Sequence, residues 1–452
     1  MSISPASSQH RDIFDVIVVG AGLSGLHAAY LLQEIGLSTL ILEARDRVGG
    51  KTLSTDRVDG ITVKQEYGAA WINNSTQSQI WKLACELGLA GMVQLSEGKV
   101  VAQDIDGNCI EAIKQCLTLR DMVEDITTCT DGPLQSHVER ESLDSISFGT
   151  YLHRNTKGSK RAQASAKTTS ELEEGYCRCE AIKKHGGQYI RVKEGVSSFG
   201  ERMLQRLVPG TLKLESPVKT IKEISELGLT QVTITAAGGA QSFLAKRVII
   251  SIPSPVYRTI TFSPPLSPKK RAYVNATRYS SYTKYLIMFK TPFWREKGYC
   301  GLAQSFVGPV SVFRDTSADD AEDQQYCLTC FICGSFARSW SALSSSEKRS
   351  AVLKQVSVIF AGGRDITVWF EEALESPWMD EEYSGWGCPM PILPPGVLSR
   401  CWDAFTATEG ALHFIGNETA TIWRGYMDGA IRTAERGSAE VIAALKAQKA
   451  SP

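Results

Sequence analysis

The sequence predicts an α/β fold: a parallel sheet carrying helices, interleaved along the chain with a second domain of mixed sheet plus helices. Three observations predict it. A short apolar run, Asp15-Val16-Ile17-Val18-Val19, is followed at once by Gly20-Ala21-Gly22-Leu23-Ser24-Gly25 and then by apolar residues at helical spacing. A second apolar strand, Thr39 to Leu42, ends in Glu43. Near the C-terminus another apolar strand, Leu412 to Ile415, leads into a helical pattern that starts at Met427 and continues to about Leu445.

Each element has a physical reason. Asp15 to Val19 is apolar throughout, as a strand covered on both faces must be. The glycines Gly20, Gly22 and Gly25 allow a tight turn, close approach of backbone to a pyrophosphate, and close helix–strand contact. Leu26, Ala28, Ala29, Leu31 and Leu32 then define a helix whose N-terminal N–H groups meet the phosphates. Glu43 stands where an acid that binds a ribose hydroxyl belongs, and it disfavours a 2′-phosphate. Strand, turn, helix, strand and acid in this order make a Rossmann-type start and imply a bound dinucleotide. They do not separate NAD from FAD.

Further along, Lys290 to Phe313 and Gln325 to Phe331 alternate or run apolar with aromatics, as sheet strands do. Ser344 to Ala361 reads as a helix. Glu139 to Glu180 is polar and poor in large apolar residues, and within it Asn155 to Ser170 (155–170) reads as a flexible loop.

Composition narrows the classes. The 452 residues are 43% hydrophobic and 22% charged, ordinary for a globular chain rather than a disordered one. Basic and acidic residues number 49 each, which argues against a nucleic-acid partner. Twelve irregularly spaced cysteines do not make a disulfide scaffold. Met1 to Asp12 has no apolar signal core, and no run of 18 apolar residues suggests a membrane span. The expected setting is cytoplasmic, with thiols mostly free. The sequons at Asn73, Asn74, Asn275 and Asn417 are then chance matches. Cys327, Cys330 and Cys333 alternate within a strand pattern and have no paired histidines nearby, so no metal is expected.

Glu43-Ala44-Arg45-Asp46-Arg47-Val48-Gly49-Gly50-Lys51-Thr52 resembles the E-A-R-x-R-x-G-G-R-x segment of the flavin amine oxidases. Glu66 to Ile72 resembles their E-x-G-x-x-W-x segment, and Leu214 to Val218 their L-x-x-P-V. Thr283 to Phe289, then Pro292-Phe293-Trp294, is similar to K-x-x-x-x-F…P-F-W. Phe414 to Thr421 and Gly425 to Ala430 are similar to the closing F-x-G-x-E-T…G-Y-M-x-G-A. The resemblance implies FAD, bound by residues 1–80, 195–255 and 400–452, with substrate held by 81–194 and 256–399.

It also implies roles. Gly20, Gly22, Gly25 and Glu43 would hold the ADP half. Arg45 and Gly50 would lie at the phosphates and flavin, where Lys51 departs from the usual arginine. The Val218 backbone would meet adenine, Trp71 would line the flavin, and Glu418 would accept from a ribityl or ribose hydroxyl. The helix beginning at Met427 would point its positive end at the flavin pyrimidine. Lys284 matches the lysine that holds a water beside the flavin and helps oxygen react. Tyr426 matches the tyrosine over the reacting face, while Pro389 stands where a second cage ring is usual. Trp386 and Trp423 are candidates for another ring. Trp378 reads as core. Cys388 is in register with the cysteine that carries the flavin through a thioether, which implies covalent FAD.

The expected activity is oxidation of a C–N bond in an amine or N-heterocycle by hydride transfer to FAD, with oxygen as acceptor. Two alternatives stay open on the sequence. One is ring closure on an indole alkaloid precursor in secondary metabolism, since fungal oxidocyclases of the beta-cyclopiazonate dehydrogenase kind resemble the same family. The other is a noncatalytic flavoprotein scaffold.

Overall fold

Val16, Ile17 and Val18 lose all contact with solvent because strands flank them on both edges and helices cover both faces. In the computed structural model, which describes residues 13–55, 64–104, 106–111, 145, 188–236, 238–318, 325–376 and 378–450, the strand Ile13–Val19 pairs in parallel with Thr39–Leu42 on one edge and with Gly239–Ile250 on the other. Leu212–Lys213 extends the parallel set beyond Thr39–Leu42. The far edge of the long strand Gly239–Ile250 is shared. Its first half pairs antiparallel with Leu229–Ala236, and its last residues pair in parallel with Leu412–Phe414. Val218–Ile224 and Thr261–Ser263 complete this eight-stranded sheet.

The helices Leu23–Gln33 and Met427–Ala450 pack together on one face, with Leu26, Leu32, Ile431 and Ala434 in a common core. The other face carries Pro268–Ala276 and Val397–Thr406, where Tyr273 stacks on Phe405 at 3.8 Å. Because Thr261–Ser263 joins through three parallel pairs with Val218–Ile224, this sheet runs past residue 255.

A second, seven-stranded sheet runs in the order Phe370–Glu375, Tyr282–Phe289, Tyr326–Cys333, Val310–Asp315, Tyr299–Ser305, Lys99–Gln103, Cys109–Glu111. Its pairings are antiparallel except that of Lys99–Gln103 with Tyr299–Ser305. The helix Ser345–Ala361 covers it, started by a capping box between Ser344 and Glu347. The aromatic Pro292-Phe293-Trp294 stretch, expected as strand, is instead a short helix, Phe293–Glu296. Asp315 explains the turn: it accepts from Trp294 Nε1 at 2.8 Å and from Arg295 Nε and Nη2 at 2.6 and 2.9 Å. A three-stranded sheet, Trp71–Ile72, Ile190–Val192 and Gly91–Val93, stands apart from both larger sheets. The polar stretch 139–180, apart from residue 145, and with it the loop expected at 155–170, lies outside the described residues.

Candidate active site

The glycine loop shows a separate role at each position. Gly20 adopts φ +99°, and a Cβ there would stand 2.8 Å from the Ser251 carbonyl oxygen. Gly25 lets its helix sit on the loop, since a Cβ would fall 2.0 Å from the Gly20 oxygen. Gly22 is different. A Cβ there meets no protein atom nearer than Gly50 Cα at 4.0 Å, so its open side faces the cavity. Gly22 is also the N-cap of the helix Leu23–Gln33, and no side chain caps that end.

Around this loop the charged groups are arranged for a ligand. Glu43, buried at the end of its strand, accepts the Ala21 N–H at 2.7 Å and the Arg45 N–H at 3.0 Å. Arg45 pairs with Glu381 at 3.3 Å, but its Nε and Nη2 are buried without a hydrogen-bond partner. Lys51 Nζ is likewise buried and without a hydrogen-bond partner, 3.4 Å from the centre of the Tyr279 ring. Burial pulls the Lys51 amine down to about 8. Buried N–H donors without an acceptor are costly unless a ligand supplies one. Arg45, with Nη2 unpartnered, and the open Gly22 therefore fit the pyrophosphate of a dinucleotide.

The same cavity continues to the residues expected at the chemistry. Gly20, Gly22, Glu43, Arg45, Gly50, Trp71, Val218, Lys284, Cys388, Glu418, Tyr426 and Met427 all line it, whereas Gly25 lies behind the loop. Lys284 is buried, and its Nζ donates to the backbone carbonyls of Glu66, at 3.2 Å, and Gly68. Burial lowers its amine to about 8, against the opposing pull of Glu66. Burial in turn raises the Glu66 carboxyl to about 7, although Ser54 Oγ and the Val196 N–H both donate to it. Trp71 holds Gln94 through Nε1 at 2.8 Å, and its ring lies 5.4 Å from Lys284 Nζ. Glu418 is buried and accepts from the Ser254 N–H at 3.1 Å and from the Tyr279 hydroxyl.

The rings differ from expectation. Trp423 contacts Tyr426 edge-on, with centroids 5.1 Å apart, but neither Trp423 nor Trp386 lines the cavity. Trp386 is exposed, at 42%. Other rings line the cavity, among them Tyr279 and Tyr282, which sequence reasoning did not single out. Tyr282 was legible in part: it precedes Lys284 by two in one strand, so both side chains take the same face. Trp378 is buried, donates to the Tyr67 carbonyl at 2.7 Å, and touches the cavity as well. Cys327, Cys330 and Cys333 are buried in their strand, and among the described residues no cluster of three metal-ligating side chains occurs.

Residues 23–442 match the sequence profile of the flavin containing amine oxidoreductases. The chain belongs to that family. A "Probable flavin-containing monoamine oxidase A" of Dictyostelium discoideum is 27% identical, with 95% of this chain and 97% of that protein covered. Amine oxidase B of Sus scrofa is 29% identical, covering 95% of this chain and 86% of its own length. Among solved structures, wild-type putrescine oxidase bound to putrescine matches with a TM-score of 0.82 at 25% identity, covering 96% of this chain and 99% of its own. Cyclohexylamine oxidase from Brevibacterium oxydans has the same fold, with a TM-score of 0.83.

This flavin amine oxidase is an FAD-dependent enzyme that oxidises amines in the monoamine oxidase manner. Its relatives do not favour ring closure on an alkaloid precursor or a noncatalytic scaffold. Among the described residues, no helix is long and apolar enough to cross a membrane.

Proposed function

We propose that the cavity takes an amine or N-heterocycle in its neutral form, that hydride leaves the carbon beside nitrogen, and that oxygen is the final acceptor. The observation that carries this reading is Lys284: a buried lysine in the same cavity as Trp71, Tyr426 and the glycine loop. When bound, FAD supplies the two-electron acceptor for the C–N bond. The residues of the chain do the rest.

Lys284 has three ammonium hydrogens. Two go to the Glu66 and Gly68 carbonyls, which leaves one to hold a water and to support oxygen as it gains charge. Two buried amines, Lys51 and Lys284, raise the cost of a further cation, so an incoming ammonium gives up its proton before it seats. Tyr426 offers a flat ring for the apolar part of the substrate, with Tyr282 as a further wall. Glu43 takes a ribose hydroxyl, Arg45 and the Gly22 and Gly50 backbones take phosphate, and the Val218 backbone meets adenine. Glu418 takes a second hydroxyl, while the helix that begins at Met427 sets its positive end toward the ring system. Gly25 acts indirectly, by seating the helix on its strand. Cys388 carries the flavin covalently. On this reading the eight-stranded sheet is the FAD-binding domain and the seven-stranded sheet the substrate domain.

The test is anaerobic mixing of the holoenzyme with a panel of amines, from benzylamine to polycyclic amines, while flavin absorbance is followed. Bleaching by at least one amine, reversed on admitting air, is expected. A flavin that no amine bleaches would overturn the reading.

A further inference from the structure

Cys388 sits in a built environment rather than on a free loop. The segment 279–282 brackets it. Ser280 Oγ donates to the Cys388 carbonyl at 2.6 Å, and Cys388 Sγ lies 3.8 Å from the Tyr282 carbonyl oxygen. The neighbouring Gly387 packs so tightly that a Cβ on it would stand 2.6 Å from Tyr279 Cβ. Above the Tyr279 ring, at 3.4 Å, is the Lys51 ammonium, buried and without a hydrogen-bond partner. Cys388, Tyr279 and Lys51 all line one cavity. We infer that Lys51 supports Cys388 as a thiolate and so drives covalent attachment of FAD.

The inference rests on the thioether reading of Cys388 and adds to it the group that makes the thiol reactive. The thiolate is the nucleophile, and a thiol in apolar surroundings is inert unless a cation favours its charged form. Burial pushes the Cys388 thiol up to about 12, and Lys51, then Lys284, pull it back. The relation is mutual: burial lowers Lys51, and Cys388 is the first of the charges that hold it up. Lys284 is already tied to the carbonyls of Glu66 and Gly68, whereas Lys51 has no such tie.

In the attachment step the S–H bond and one C–H bond of the flavin 8-methyl group break, and one S–C bond forms. The two hydrogens end as two protons and two electrons on the reduced ring, from which oxygen takes them as hydrogen peroxide. Lys51 changes how much of the sulfur is anionic and does not alter this balance.

The experiment uses the full chain from riboflavin-limited cells, with FAD added and acid-precipitable flavin measured against time. Wild type is expected to attach flavin. Lys51→Met should attach it at least ~10-fold more slowly per bound FAD, the effect of about 1.4 kcal/mol. Lys51→Arg, which keeps the charge, should stay within a few-fold of wild type. A second readout does not need FAD: the rate at which iodoacetamide labels the Cys388 peptide, followed by mass spectrometry, should fall in Lys51→Met and not in Lys51→Arg. If wild type attaches no flavin, the thioether reading itself fails. If wild type attaches flavin while Lys51→Met attaches and labels at the wild-type rate, the thioether stands and the role of Lys51 is overturned.

Discussion

The Glu43 carboxylate is tied to the glycine loop it serves: Oε2 accepts the backbone N–H of Ala21 at 2.7 Å, across the gap between two parallel strands. Glu43 therefore shapes the loop and faces the cavity at once. Glu43→Ala should weaken FAD capture by about 2 kcal/mol, the scale of one charge-assisted hydrogen bond, or roughly 30-fold in Kd. Titration of the FAD-free chain with FAD, read by flavin fluorescence, checks this.

Gly22 and Gly25 should separate binding from folding. A Cβ at Gly22 clashes with no protein atom and points into open cavity, so the FAD-free Gly22→Val chain should keep its melting temperature and lose flavin. Gly25→Ala forces a Cβ to 2.0 Å from the Gly20 oxygen and should destabilise the FAD-free chain by about 1–3 kcal/mol. Calorimetry and flavin content together read both. Normal flavin in purified Gly22→Val would remove this loop from cofactor binding.

The glycine loop and Glu43 were legible because their constraints are local: positive φ, a helix start, and an acid at the end of the next strand. Glu418 and Met427 were reached through the resemblance of their closing motif, and both line the cavity. What the sequence hid depends on distant partners. Tyr279 enters the cavity beside Lys51 because its short strand Arg278–Tyr279 pairs with Pro391–Ile392. The departure at Lys51 was visible as a letter, but its position over the Tyr279 ring was not. Thr261–Ser263 joins the first sheet through a three-residue pairing that no local pattern announces. Pro292-Phe293-Trp294 reads as strand from its aromatics, until Asp315 on a separate strand collects both Trp294 and Arg295 and turns it into a helix.

Lys284 should act on oxygen more than on amine. Lys284→Met should slow reoxidation of the reduced flavin on the order of 100-fold, the scale of removing one preorganised charge, and change reduction by substrate much less. The pH dependence carries the sign. Burial sets Lys284 below the ordinary lysine value of 10.5, at about 8, so its charge is present below that pH and lost above it. Reoxidation in wild type should fall as pH rises through about 8, and Lys284→Met should show no such step. Stopped-flow traces with unchanged reoxidation would take Lys284 out of the mechanism.

Glu66 links that step to stability. Its folded value, raised by burial from 4.5 to about 7, means that its contribution to folding is present below 4.5 and lost as pH rises through about 7. Glu66→Gln keeps a group of the same shape between Ser54 and Val196 but removes that loss. Its melting temperature relative to wild type should rise between pH 5 and pH 8. The same substitution removes a charge that favours the Lys284 ammonium, so the reoxidation step should move to lower pH. A step that stays in place would show that the two groups do not interact.

The covalent bond at Cys388 is the last expectation, and position carries it. Cys388 is buried, lines the cavity with Lys284 and Tyr426, and belongs to a segment in which Pro389, Pro391, Pro394 and Pro395 each fix φ. The backbone that carries the sulfur is therefore stiff, and Sγ lies 3.8 Å from the Tyr282 carbonyl oxygen. Acid precipitation of wild type should leave yellow flavin in the pellet, and a proteolytic flavin peptide should contain Cys388. Cys388→Ala should still load FAD, because Glu43, Arg45 and Glu418 are untouched, yet release it on denaturation. Should the wild-type pellet be colourless and all flavin appear in the supernatant, Cys388 is a packing thiol held by Ser280 and Tyr282, and the cofactor is retained by noncovalent contacts alone.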